Sequence, residues 1–210
     1  MYIKNIVKII CREIKVMKGW FLIPPALFIF LMPFAVNQML ENANVDTVRT
    51  QFIVYSQMFI PIVTLIYPAN ILINALNDEG AELNSVYEQK KAKHIMIFFF
   101  INAAFLVPAY AICGYLIEIS VYEFCKIAIM SFFVNAIIYA VSYLTKSGIA
   151  GFLGTAITYL LADIYLSKWK YSPFINDVIN RKILLGRYLP YLGVGVIIMI
   201  IGYIANRKKN

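Results

Sequence analysis

The sequence predicts an all-helical integral membrane protein, an N-terminal interfacial helix followed by six transmembrane helices. Three observations carry that expectation. Hydrophobic residues make up 61% of the chain, charged residues 14%, and the mean hydropathy is +0.74. Soluble domains carry about 25% charge, so most of this surface is matched to hydrocarbon rather than water. A bilayer core needs roughly 20 apolar residues per helix, and stretches of that length recur six times along the 210 residues. Lys and Arg gather at the ends of those stretches. The chain therefore reads as one membrane domain, residues 1–210, with short loops.

Residues 1–18 are too basic to span. Ile3, Ile6, Val7, Ile10, Ile14 and Met17 recur at helical spacing, opposed by Lys4, Lys8, Arg12 and Lys15. That pattern predicts an amphipathic helix lying in the membrane interface. A secretory leader fits poorly, because no small-residue cleavage site follows the apolar run.

The first span is expected from about Trp20 to Leu40, with Pro24, Pro25 and Pro33 bending it. The second is expected from about Phe52 to Leu76, with Pro61 and Pro68 inside. A charged hairpin, residues 77–93, then interrupts the hydrocarbon pattern. The third span covers about Ile95 to Ile117, the fourth about Phe124 to Leu144 and the fifth about Ile149 to Leu166. A half-polar connection, residues 167–187, mixes Trp169, Tyr171 and Phe174 with charges and suits short helices at headgroup level. The sixth span runs from about Tyr188 to Ala205. Twelve of the 19 Lys and Arg fall on the side of the termini and the 77–93 hairpin. The positive-inside rule then places both termini and that hairpin in the cytoplasm, with 167–187 outside, in a multi-pass protein of the cell membrane.

A net charge of +8 does not point to nucleic acid, since the basic residues border spans instead of forming an aromatic-and-basic patch. Cys11, Cys113 and Cys125 are scattered and form neither a metal-ligand set nor a disulfide framework. No phosphate-binding GxxxxGK[ST] loop, HExxH zinc motif or GxSxG elbow occurs. His94, the single histidine, stands at the start of the third span and reads as an interfacial residue. The chain is expected to be no enzyme, with no cofactor of its own.

Polar residues within the spans are few. Gln57, Thr64 and Asn74 are read as one polar face of the second span, either bonding to neighbouring helices or lining a passage. Ser131, Asn135, Tyr139 and Ser142 form a weaker stripe on the fourth. Gly148, Gly151, Thr155 and Thr158 place small residues along the fifth, which allows close helix packing within a subunit or across a dimer. Ionisable groups at mid-membrane depth, which ion-coupled carriers use, are nearly absent from the expected span interiors. Energy for any transport would then come from another chain.

In the hairpin, Asp78 or Glu79, Gly80, Glu82 and Leu83 are followed by Lys90 and Lys91. Acids suit the start of a short helix and lysines its end. With six spans, this layout resembles the type-two permease subunits of ATP-binding-cassette exporters in their short, domain-free form. The resemblance covers essentially the whole chain, although the proline usual in the family's hairpin is absent from SVYEQKK and the lysine usual at the start of the third span has no clear partner, Ile95 to Phe100 being wholly apolar. It implies that 77–93 is a coupling hairpin docking on a cytoplasmic ATPase through Asp78, Glu79, Glu82, Ser85, Tyr87, Glu88 and Lys90. It implies ATP and magnesium held by that partner, and pairing with a second permease chain, identical or related. By analogy the cargo would be peptides, including toxin or antimicrobial peptides, or other amphipathic molecules. The rival expectations are a secondary transporter or channel of another fold, and a membrane assembly factor that transports nothing.

Overall fold

The computed structural model of the chain describes residues 2–77, 91–166, 172–174 and 178–207. All regular structure among them is helical, and six helices are long and apolar enough to cross a membrane. That is the architecture of a multi-pass membrane protein, the state in which every backbone group can be satisfied without water.

A helix covers Tyr2–Met17, and Lys18, at φ 51°, turns the chain before the first span. That span is irregular. A 3₁₀ turn at Lys18–Leu22 leads through Ile23–Pro25 into a π-helical turn at Ala26–Leu31, then an α-helix at Met32–Asn42. Proline supplies no N–H to the ladder, so a segment bearing Pro24, Pro25 and Pro33 cannot keep one regular pitch. The second span is two helices, Val45–Thr64 and Ile66–Leu76, meeting at Leu65. It begins about two turns earlier than its apolar run, because Asn44 caps it: its side-chain oxygen accepts the N–H of Thr47 at 2.9 Å.

The third span is Lys91–Ile117 and the fourth Val121–Thr145, joined through Glu118 at φ 53° and the N-cap Ser120. The fifth is Gly148–Leu166. The sixth starts at Arg181, where Asn180 caps Ile183, passes a π-helical turn at Leu184–Tyr188 and continues as Leu189–Arg207. Caps thus extend several helices past their apolar stretches.

The fourth span is the axle. Met130, Val134, Ile138, Tyr139 and Tyr143 on it form a buried core with Leu65, Leu72, Tyr159 and Tyr188 from the second, fifth and sixth spans. The sixth lies close against it because two glycines leave room. A Cβ at Gly202 would fall 2.6 Å from the Tyr139 ring, and one at Gly195 2.9 Å from Phe132. A second core joins the first span to the second and third through Phe28, Phe52, Leu106 and Tyr110. In a bilayer such contacts rest on fit rather than on water exclusion, so small residues at crossings decide which helices meet.

Candidate functional site

The seven hairpin residues expected to meet an ATPase, Asp78, Glu79, Glu82, Ser85, Tyr87, Glu88 and Lys90, lie outside the described residues. The two roots of the hairpin are described, and each is fastened to another part of the protein. At the first root, Asn77 ends the second span. Its side-chain oxygen accepts the N–H of Gly148 at 2.8 Å, and its amide nitrogen donates to Ser147 Oγ at 3.4 Å. This clips the root to the turn between the fourth and fifth spans. The fit requires glycine: a Cβ at Gly148 would lie 2.5 Å from the backbone nitrogen of Ile73.

At the second root the third span opens with Lys91 and His94, which are only 7% and 6% exposed. Glu13 of the N-terminal helix, 4% exposed, accepts a hydrogen bond from His94 Nδ1 at 2.8 Å and an ion pair from Arg12 at 2.9 Å. The positive field of Lys91 also acts on Glu13. Three buried ionisable groups are therefore gathered where the hairpin re-enters the bundle. His94 is more than the interfacial residue the sequence suggested, because it ties the N-terminal helix to the third span. Sequence reasoning missed Glu13. Its signal was an acid on a face otherwise made of Ile6, Ile10, Ile14 and Met17. Its partner stands 81 positions away, beyond the reach of any local pattern.

Between the two ends of the bundle lies a polar knot. Gln57 and Thr64, expected on one face, are both buried. Thr64 Oγ1 donates to Pro61 O at 2.7 Å, Asn102 donates to Thr64 O at 3.2 Å, and Asn135 donates to Thr64 Oγ1 at 3.2 Å. The Tyr159 hydroxyl donates to Gln57 O at 2.7 Å. Four spans meet through these bonds. Two buried amide oxygens, Asn102 Oδ1 and Asn135 Oδ1, have no donor among the described residues. Asn74 is half-buried and stands apart from the knot. Ten residues at about 100° each carry it roughly 80° round the helix from Thr64, and the break at Leu65 intervenes. An apolar cavity of about 350 Å³ opens between the first and second spans, walled by Phe28, Met32, Tyr55 and Phe59 among others. Gln57 and Thr64 are not in its wall.

The small-residue stripe on the fifth span packs within the protomer. Gly151 sits on Ser142 of the fourth span, where a Cβ would lie 2.9 Å from the Ser142 Cβ, and Thr155 is buried. Thr158 is exposed, and Tyr159 takes the next place on the packed face. A straight helix repeats at 3.6 residues, so the face packed within the chain runs 148, 151, 155, 159 and leaves Thr158 on the outer side.

The end of the bundle opposite the hairpin holds a buried ion pair, of which the expected boundary left Glu123 outside and Lys126 just inside. Because the fourth helix begins at Val121, Glu123 and Lys126 fall inside it and are buried, at 2.9 Å from each other. Glu123 Oε1 accepts the N–H of Ile179, at 2.8 Å, from the connection before the sixth span. Phe174 of that connection rests edge-on against Tyr159, and the Tyr188 hydroxyl donates to Pro173 O at 2.7 Å. On the same side Arg49, near the start of the second span, holds the end of the third, donating to Ile117 O at 2.8 Å and pairing with Glu118 at 2.9 Å.

Among the described residues no group of three or more His, Cys, Asp or Glu side chains is placed to hold a metal ion. No protein-family model, curated protein or solved structure matches the chain.

Proposed function

We propose that the chain is the permease subunit of an ATP-driven exporter of the type-two ATP-binding-cassette kind, moving peptides or other amphipathic molecules across the cell membrane. The observation that carries this reading is the framing of the charged hairpin. Its first root is clipped to the turn between the fourth and fifth spans, and its second to the N-terminal helix. A force applied to the hairpin would reach three elements at once, as a coupling element requires. A merely solvated turn needs no such fastening. The hairpin itself would dock on the ATPase through Glu82, Tyr87 and Glu88, flanked by Asp78, Glu79, Ser85 and Lys90. ATP and magnesium would belong to that partner. The N-terminal helix would lie in the interface with Lys8, Arg12 and Lys15 towards anionic lipid. Half a pathway per chain calls for a second permease chain, and the polar knot around Gln57 and Thr64 supports a polar seam inside each half.

The test is copurification. A tagged chain extracted in mild detergent is expected to bring down an ATPase. The double variant Glu82→Lys with Glu88→Lys is expected to lose it while still inserting in the membrane. Undiminished recovery of the ATPase with that variant would remove the coupling role. Orientation is tested by labelling single cysteines with an impermeant reagent. Ser172 is buried, whereas Val178 is 56% exposed, so Val178 is the site to label from outside and Asn84 the site that should stay protected.

A further inference from the structure

In an α-helix the N–H of each residue bonds the carbonyl four positions earlier, and proline has no N–H to give. In the second span Pro61 therefore releases the carbonyl of Gln57, and Pro68 that of Thr64. Both residues are buried at membrane depth, where an unpaired carbonyl is heavily disfavoured. Each released carbonyl is taken by a side chain from another span. The Tyr159 hydroxyl of the fifth span donates to Gln57 O at 2.7 Å, and Asn102 of the third donates to Thr64 O at 3.2 Å. The pattern recurs in the first span, where Pro25 releases Phe21 O. Phe21 stands in a 3₁₀ turn, where the donor would be Pro24, so neither proline can supply an N–H, and the Tyr67 hydroxyl donates instead at 2.8 Å. Tyr67 itself stands on the second span, just past its break at Leu65.

We propose that Tyr159 and Asn102 are positioning residues that set the bend of the second span by holding its two proline-released carbonyls, making that span a two-part lever. The upper part is Val45–Thr64 and the lower part Ile66–Leu76. The lower part ends at Asn77, the first root of the hairpin. Both held carbonyls lie in the upper part, Thr64 O at the break itself, where the ladder is thinned to bonds such as Ala69 N–H to Leu65 O at 2.8 Å. Releasing either bond lets the angle between the two parts shift, within the hold that Asn77 keeps on Gly148. The link from that swing to transport rests on the coupling reading above; the bend itself does not.

The prolines make the idea separable from ordinary packing. Replacing Pro68 by alanine returns an N–H to Thr64 O, and Asn102 then loses its task. Pro61→Ala does the same for Tyr159. Spin labels at Tyr55→Cys and Asn74→Cys, on a chain whose native cysteines are replaced, report the bend; along a straight helix their backbones would be about 28 Å apart. The chain is measured alone in lipid nanodiscs by pulsed dipolar spectroscopy. Tyr159→Phe and Asn102→Leu are each expected to shift the mean distance by a few ångströms or to broaden its distribution about twofold. Pro61→Ala should abolish the effect of Tyr159→Phe, and Pro68→Ala that of Asn102→Leu, with no cross-suppression. Unchanged distances in the two single variants would overturn the lever. So would equal effects with and without the matching proline, which would mark plain packing. An ATPase that fails to copurify would sink the coupling reading and leave the lever standing, so the two failures are distinct.

Discussion

At the hairpin end of the bundle separate elements are clipped together by side chains, Glu13 to His94 and Asn77 to Gly148. At the opposite end a buried ion pair within one helix, Glu123 with Lys126, receives the backbone of the connection at Ile179. The first arrangement joins separate elements through single side-chain bonds. The second is sunk in the core, Glu123 2% exposed and Lys126 not at all. A machine driven from the hairpin end would need that distribution, in which the driven end can shift and the other end holds register.

The comparison can be broken most severely at the buried ion pair. Lys126→Met would leave Glu123 buried and uncompensated, which is expected to destabilise the protein by about 3–5 kcal/mol. Reversible unfolding in mixed micelles should show the loss. Little change would mean that the connection end is not the anchored one.

A smaller effect is expected from Glu13→Ala. It removes an accepted hydrogen bond from His94 and the ion pair with Arg12, a loss of about 1.5–3 kcal/mol for charged hydrogen bonds. The loss should be local. Limited proteolysis is expected to cut near Lys18 several times faster while the six-span core stays resistant. Global unfolding instead would erase the difference between the two ends.

The glycine contacts sharpen the contrast further. Gly148→Ala pushes a methyl into the backbone of Ile73, which cannot rotate away, and overpacking of this kind costs about 1–3 kcal/mol. Gly151→Ala meets Ser142, whose hydroxyl can turn aside although its Cβ and Cα remain at 2.9 and 3.0 Å, looser than the 2.5–2.7 Å backbone contacts at Gly148, and should cost less in the same unfolding assay. The reverse order would show that the Asn77 clip is looser than its geometry suggests.

The smallest change is Thr158→Leu. Thr158 is exposed on the fifth span, so the variant should stay within about 0.5 kcal/mol of the parent and keep its oligomeric state by light scattering. A lost dimer would instead place a second copy of the chain on that face.

Much of the plan was legible without coordinates. Six apolar stretches can be counted because backbone groups in hydrocarbon must bond within their own helix, and such a helix needs a minimum length. The stripe Ser131, Asn135, Tyr139 and Ser142 was also legible, and all four are buried against other spans. Which side of most spans turns inward was not. The third span is apolar almost all round, so no amphipathic pattern marks its inner face. The fifth shows the consequence: a small-residue repeat pointed to Thr158, and close packing chose Tyr159.

The sequence by itself determined how many times this chain can cross a membrane, where the proline breaks fall and where charge interrupts the hydrocarbon. These depend on composition and on single residues. Only the tertiary structure decided which side chains answer the carbonyls released by Pro25, Pro61 and Pro68, that Glu13 meets His94, and that Glu123 and Lys126 are sealed inside the fourth helix. Each of these is a choice of partner across tens of residues, apart from the local Glu123–Lys126 pair, whose burial the surrounding helices impose. Such choices follow from which helix surfaces fit one another, a property that no single span carries alone.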